Sequence, residues 1–233
     1  MSEVDRTEVE RSAPGLPTSV VPNGVDAEWF APSPAASDPD AMVFTGVMDW
    51  LPNVDGITFF VTHVLPRIRR VIPRAELTVV GRDPSPSLVR RLTGDGVRFT
   101  GTVEDVRPHV ARARLVVVPL RIGGGTRLKI LEAWAMEKAV LSTSIGAEGL
   151  PAVDGENIAL ADTADQMAER AVELLTDGQL VKRLGAAGRT IVEERFTWNR
   201  IADRLLDAYM DTIDGFRSLP PDVARPSLQS DGR

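Results

Sequence analysis

The stretch of this sequence best equipped for chemistry covers residues 119–133. It reads Pro119, Leu120, Arg121 and Ile122, then Gly123, Gly124 and Gly125, then Thr126, Arg127, Leu128, Lys129, Ile130, Leu131, Glu132 and Ala133. An apolar run that stops at three glycines and resumes with helical period leaves unpaired backbone N–H groups and the positive end of a helix dipole facing a cleft, which makes an anion site. Arg127 and Lys129 place two cations in the first turn of that helix, where the dipole disfavours them unless an anion is expected. Lys129 and Glu132 stand three apart and share a helix face. A cation for phosphate and a carboxylate for sugar hydroxyls can therefore line one pocket. The plainer alternative is a glycine loop followed by a surface Lys–Glu ion pair.

Other groups at the ends of apolar runs could join it. In Thr45-Gly46-Val47-Met48-Asp49-Trp50-Leu51-Pro52-Asn53, the glycine allows close approach of a ligand, and Asp49 or Asn53 is placed to cap a helix starting at Val54. Trp50 is either a cleft wall or core. Gly81-Arg82 and Phe99-Thr100-Gly101-Thr102-Val103 close two neighbouring runs, and backbone donors and acceptors there suit the edge of a nucleobase. Asp38-Pro39-Asp40 has the DxD spacing of metal-dependent sugar transferases, but it falls in a Pro/Ser-rich linker instead of at a strand end and is set aside. His63 and His109 lie inside helical patterns and read as packed or surface side chains rather than bases.

The elements that must hold these residues follow from periodicity. Short β-branched runs at 42–46, 77–81, 97–101, 115–120, 140–143 and 158–160 alternate with helical patterns at 54–71, 87–92, 106–112, 128–136 and 164–175. Such alternation predicts βαβ units and a parallel sheet covered on both faces, with ligands outside the carboxyl ends of the strands. Two further helices are predicted at 178–196 and 199–216, the last with an apolar stripe of Ile201, Leu205, Leu206, Tyr209 and Met210. Residues 1–40, with six prolines between Pro14 and Asp40, read as a leading segment and linker with one short strand and turn at 20–25. Residues 41–216 form the domain, and 217–233 are expected to be a disordered tail.

Composition narrows the function classes. The chain has 233 residues, 43% hydrophobic and 26% charged, with a net charge of −6, so no global field attracts nucleic acid or an anionic surface. Zero cysteines exclude a thiol nucleophile, disulfides and Cys-based metal sites, and two histidines outside any HExxH pattern leave little for a catalytic metal. The first residues carry no apolar signal core, and no apolar run approaches the ~20 residues of a membrane span. A cytoplasmic protein is expected, in the cytoplasm or at the inner face of the membrane.

In motif order the chain resembles the C-terminal half of the group 1 (family four) retaining glycosyltransferases of GT-B fold. The resemblance rests on Val21-Pro22-Asn23-Gly24-Val25-Asp26, a first run ending Thr45-Gly46, Val79-Val80-Gly81, Val97-Arg98-Phe99-Thr100-Gly101, Leu128-Lys129-Ile130-Leu131-Glu132-Ala133-Trp134-Ala135-Met136, Ala139-Val140-Leu141-Ser142-Thr143 and Glu148-Gly149-Leu150. It covers about 19–216, the lysine just before Leu-Glu-Ala is similar to that of bacterial exopolysaccharide and cell-surface glycan enzymes, and the start at Ser2-Glu3-Val4-Asp5 looks like the helix-poor tail of a preceding domain.

The resemblance implies a doubly wound, Rossmann-like α/β domain of about six parallel strands with extra C-terminal helices. This would be the half that binds a nucleoside diphosphate sugar, with no metal and no other cofactor. It implies a donor site of Gly46, Arg82, Thr102, Val103, Gly124, Gly125, Thr126, Arg127, Lys129 and Glu132. Glu132 matches the second glutamate of the family's E-x7-E motif, which holds ribose hydroxyls, while the first falls on Gly124. The family's Arg and Lys after the first strand fall near Val47 and Pro52, so Lys129 and Arg127 are the candidates to carry that charge. A glycan or lipid-linked acceptor would be held by an N-terminal domain missing from this chain, without which transfer is expected to fail. The rival reading is a non-enzymatic module that binds nucleoside diphosphates, or a partner subunit of a split enzyme.

Overall fold

The structure, a computed structural model, describes residues 3–125 and 127–217. Its core is one six-stranded parallel sheet of order β3-β2-β1-β4-β5-β6. The strands are β1 (Asp38–Thr45), β2 (Glu76–Val80), β3 (Val97–Gly101), β4 (Ala113–Val118), β5 (Ala139–Ser142) and β6 (Ala159–Leu160). The helices are α1 (Glu3–Ser12), α2 (Leu51–Phe59), α3 (Leu65–Val71), α4 (Pro86–Leu92), α5 (Arg107–Arg112), α6 (Leu128–Ala135), α7 (Ala164–Thr176), α8 (Gly178–Arg195) and α9 (Trp198–Arg217). This is the doubly wound, Rossmann-like α/β arrangement expected.

The strands read as continuous apolar runs because both faces are covered: Met42, Val43 and Phe44 of β1 and Leu115, Val117 and Val118 of β4 are all fully buried. The chain winds outward from β1 to β3, then returns through α5 to place β4 on the other side of β1. Strand order thus reverses between β1 and β4, and the loops after these two strands flank the crevice such a reversal opens.

The predicted helix over 54–71 is not uniform. It begins at Leu51, widens into a π-helical turn at Phe60–Val64, and resumes as α3. Pro66 has no N–H and its ring would crowd the carbonyl four residues back, so the wider turn just before it lets the helix continue.

The leading segment also differs from expectation. Residues 3–12 form a helix with no buried residue, and 20–25 hold no strand beyond one parallel bridge from Val25 to Thr197. The segment is instead tied to α8 and α9: Val25 N–H donates to Phe196 O at 2.8 Å, and Arg189 Nη1 donates to Ala27 O at 3.0 Å. Asp38 and Asp40 are not linker residues, since β1 starts at Asp38. They stand at the amino end of the sheet, opposite the loops above, where they pair with Arg112 and Arg74. Ile201 of α9 is buried, whereas Leu205, Leu206, Tyr209 and Met210 of its stripe are exposed. The tail expected at 217–233 lies outside the described residues from 218 on.

Candidate functional site

At the carboxyl ends of β1, β2 and β3 an open cavity of about 460 Å³ is lined by Gly46, Arg82, Thr102, Val103, Lys129 and Glu132, six of the ten residues the sequence singled out. Thr45, Val47, Val80, Gly81 and Val106 complete its walls. Helix α6 starts beside the loop after β4, and its one-turn spacing turns Lys129 and Glu132 into the cavity from one side. The turns after β1, β2 and β3 close the others.

Lys129 and Glu132 are neither on the open surface nor joined as an ion pair, contrary to the plainer reading of the loop. Both are half-buried. The Lys129 amine donates to Asn53 Oδ1 at 2.9 Å and lies 4.1 Å from the centroid of the Phe44 ring. Burial pushes its pKa down to about 7, with the charge of Arg127 acting in the same direction and Glu132 against it. Burial likewise pushes Glu132 up, while Lys129 pulls it down. Glu132 lines the cavity, and its carboxylate accepts no hydrogen bond among the described residues, which leaves its acceptor capacity unused.

Arg127 is placed differently from the expectation that it would share the anion. Its guanidinium turns back on the loop, donating to Gly124 O at 2.8 Å, Gly123 O at 2.7 Å and Ile145 O at 3.3 Å, and it does not line the cavity. The reason is local: Gly123 and Gly125 adopt φ of 102° and 87°, which aims the loop carbonyls inward and calls for a donor. Gly124 and Gly125 stay exposed at the loop's edge outside the cavity wall, and Thr126 lies outside the described residues.

Asn53 is not the helix cap that its position in the sequence suggests. Helix α2 starts at Leu51 with Trp50 at the N-cap position, no side chain caps it, and Pro52 sits in its first turn. Asn53 is thereby free to bridge, its Nδ2 donating to Val47 O at 2.8 Å while its Oδ1 receives Lys129. Nothing in the sequence distinguishes a capping Asn from this one. Trp50 is 58% exposed, so it is neither core nor a wall of the cavity. His63 and His109 do not reach the cavity. A larger space of about 650 Å³, between the leading segment and α5, is lined by Trp29, Asp105 and Arg107 but by none of the predicted residues. Among the described residues, no cluster of His, Cys, Asp or Glu is arranged to hold a metal, and no helix is long and apolar enough to cross a membrane.

Residues 39–177, more than half of the chain and all of the sheet but its first residue, match the family described as glycosyl transferases group 1. The chain belongs to the group 1 glycosyltransferases. Among its relatives, a GDP-mannose-dependent alpha-(1-6)-phosphatidylinositol monomannoside mannosyltransferase of Mycobacterium tuberculosis is 29% identical over 225 residues, covering 83% of this chain and 56% of the relative. A D-inositol 3-phosphate glycosyltransferase of Streptomyces bingchenggensis is 30% identical, covering 86% of this chain and 49% of the relative. The chain thus spans about half the length of the curated relatives it matches. In fold it is similar to sucrose-phosphate synthase of Thermosynechococcus elongatus, with a TM-score of 0.75 at 22% identity over 92% of this chain and 58% of that one. Anabaena HepE in complex with UDP and glucose gives a TM-score of 0.72 at 16% identity over 90% and 61%.

Proposed function

We propose that the cavity binds the nucleoside diphosphate of a sugar nucleotide and that this domain is the donor-binding half of a retaining glycosyltransferase. The observation that carries the reading is the juxtaposition of Lys129 and Glu132: one cation and one carboxylate without a hydrogen bond among the described residues, a turn apart, in the cavity at the carboxyl ends of β1, β2 and β3 beside the reversal of strand order. Lys129 meets the diphosphate, together with the backbone N–H groups at the start of α6, and Glu132 accepts from the ribose hydroxyls. The backbone ends at Thr102 and Val103 border the space for the base. As the glycosidic bond to the diphosphate breaks, negative charge grows on the leaving group, and a prepositioned cation and dipole stabilise it without the need for a metal. Gly124 stands where the family's sugar-contacting glutamate would be, so the sugar is gripped by other groups. The relatives' named GDP-mannose dependence and the UDP in the Anabaena complex support a nucleoside diphosphate sugar as the donor class.

The acceptor, a glycan or lipid-linked sugar, is held in this reading by a separate N-terminal domain, as the half-length coverage of the relatives supports. Orienting two substrates contributes effective molarities of up to about 10⁵–10⁸ M, and that share is lost when one of the two holders is absent. The test is transfer of labelled sugar from a nucleotide donor. The chain alone is expected to be inactive and to gain activity when a relative's acceptor domain is fused or added. Transfer by the chain alone within tenfold of the combined pair would overturn the division of labour.

A further inference from the structure

Asn53 joins three elements: it sits in α2, its Nδ2 donates to Val47 O in the turn after β1 at 2.8 Å, and its Oδ1 receives the Lys129 amine from α6 at 2.9 Å. The amide cannot be reversed, because flipping it would set its NH₂ against the lysine and its oxygen against the Val47 carbonyl. The Phe44 ring lies under the same amine at 4.1 Å, and a Cβ on Gly46 would stand 2.9 Å from Nζ and 2.8 Å from Asn53 Nδ2. The amine is therefore held over the Gly46 turn, close to the segment around Val47 and Pro52. A neutral acceptor fixes the position of the amine without neutralising it, whereas a carboxylate in the same place would pair with it.

We propose that Asn53 is a positioning residue for the donor's diphosphate, holding the Lys129 amine over the Gly46 turn and acting on the ligand only through that lysine. The inference rests on the reading of the cavity as a nucleoside diphosphate site. The other charges facing the amine are Arg127, which disfavours its protonation, and Glu132, which favours it. Arg127 repels it and Glu132 does not form an ion pair with it, so the Asn53 bond sets where it sits.

A double-mutant cycle tests this with GDP and UDP, and their nucleosides, as probes. Asn53→Ala is expected to weaken the diphosphate about fivefold, the worth of one ordinary hydrogen bond, and to leave the nucleoside unchanged. In a Lys129→Met background the same change is expected to have no further effect. An equal loss in both backgrounds would overturn the proposal, because Asn53 would then act without the lysine. An NMR titration of Lys129 in the free protein separates this from the donor reading. Asn53→Asp is expected to raise the lysine's midpoint from near 7 by at least one pH unit, yet to weaken diphosphate binding, and an unmoved midpoint would show that the pair is not formed. If the midpoint moves but wild type binds neither nucleotide, the contact stands and the diphosphate role fails together with the donor reading.

Discussion

Gly81 lies so close to the carbonyl of Gly46 that a Cβ built on it would stand 1.7 Å from that oxygen. The turn after β2 therefore rests directly on the turn after β1, and Gly46 N–H donates to Val80 O at 3.0 Å across the same junction. The floor of the cavity is bare backbone because two glycines meet there, which lets the amine of Lys129 come down onto it.

Replacing Gly81 with Ala forces the two turns apart. Overpacking of this kind costs about 1–3 kcal/mol, and here it also displaces the wall of the nucleotide site. Gly81→Ala is expected to lower the urea midpoint and weaken nucleotide binding together. Gly94→Ala, where nothing lies within 4 Å of the new Cβ, is the matched control. A Gly81→Ala protein as stable as the control would contradict the close contact.

The half-burial of Lys129 makes a pH prediction with a definite sign. Its pKa is about 7 in the fold and 10.5 ordinarily, so between these values the unfolded chain binds a proton that the folded one does not. Stability then rises with pH across that window, by at most about 1.4 kcal/mol per pH unit from this group. Lys129→Met removes the term, so the variant is expected to be the more stable near pH 6 and to lose about half of that advantage or more by pH 9, the rest going as pH approaches 10.5. Lys138, also lowered by burial to about 8, is present in both proteins and cancels in the difference. An advantage for the variant that is the same at both pH values would show that the lysine carries no such strain.

Glu132→Gln tests the ribose contact. A neutral amide keeps the shape but loses the charge-assisted bonds, so the variant is expected to weaken a ribonucleoside diphosphate several-fold more than its 2′,3′-dideoxy analogue. Equal losses for the two ligands would make Glu132 a wall residue with no partner on the sugar ring.

The sheet could be read from the sequence because short apolar runs alternate with helical patterns and several of the runs end in glycine, as at Thr45-Gly46 and Val80-Gly81. The Lys129 and Glu132 pair could be read because helical spacing alone places both on one face of α6. Arg127 could not. Two residues before Lys129 it looks like a second ligand cation, and only the inward carbonyls of Gly123 and Gly124, fixed by the positive φ angles of that loop, show why its guanidinium turns the other way. Asn53 was hidden for a similar reason. Its position near a helix start suggests a cap, and the start of α2 at Leu51 instead of Val54 shifts it from the end of the helix to the inside of the first turn. The leading helix α1 buries nothing, so no apolar stripe announced it.

The central claim is that Lys129 meets the diphosphate of a nucleotide bound in this cavity. Titration calorimetry of GDP and UDP against wild type and Lys129→Ala tests it most directly, at pH 6, below the amine's pKa of about 7. A charge-assisted hydrogen bond worth about 1.5–3 kcal/mol corresponds to roughly a tenfold to hundredfold loss of affinity in the variant, with nucleoside binding unchanged. Equal diphosphate affinity in the two proteins would contradict the account.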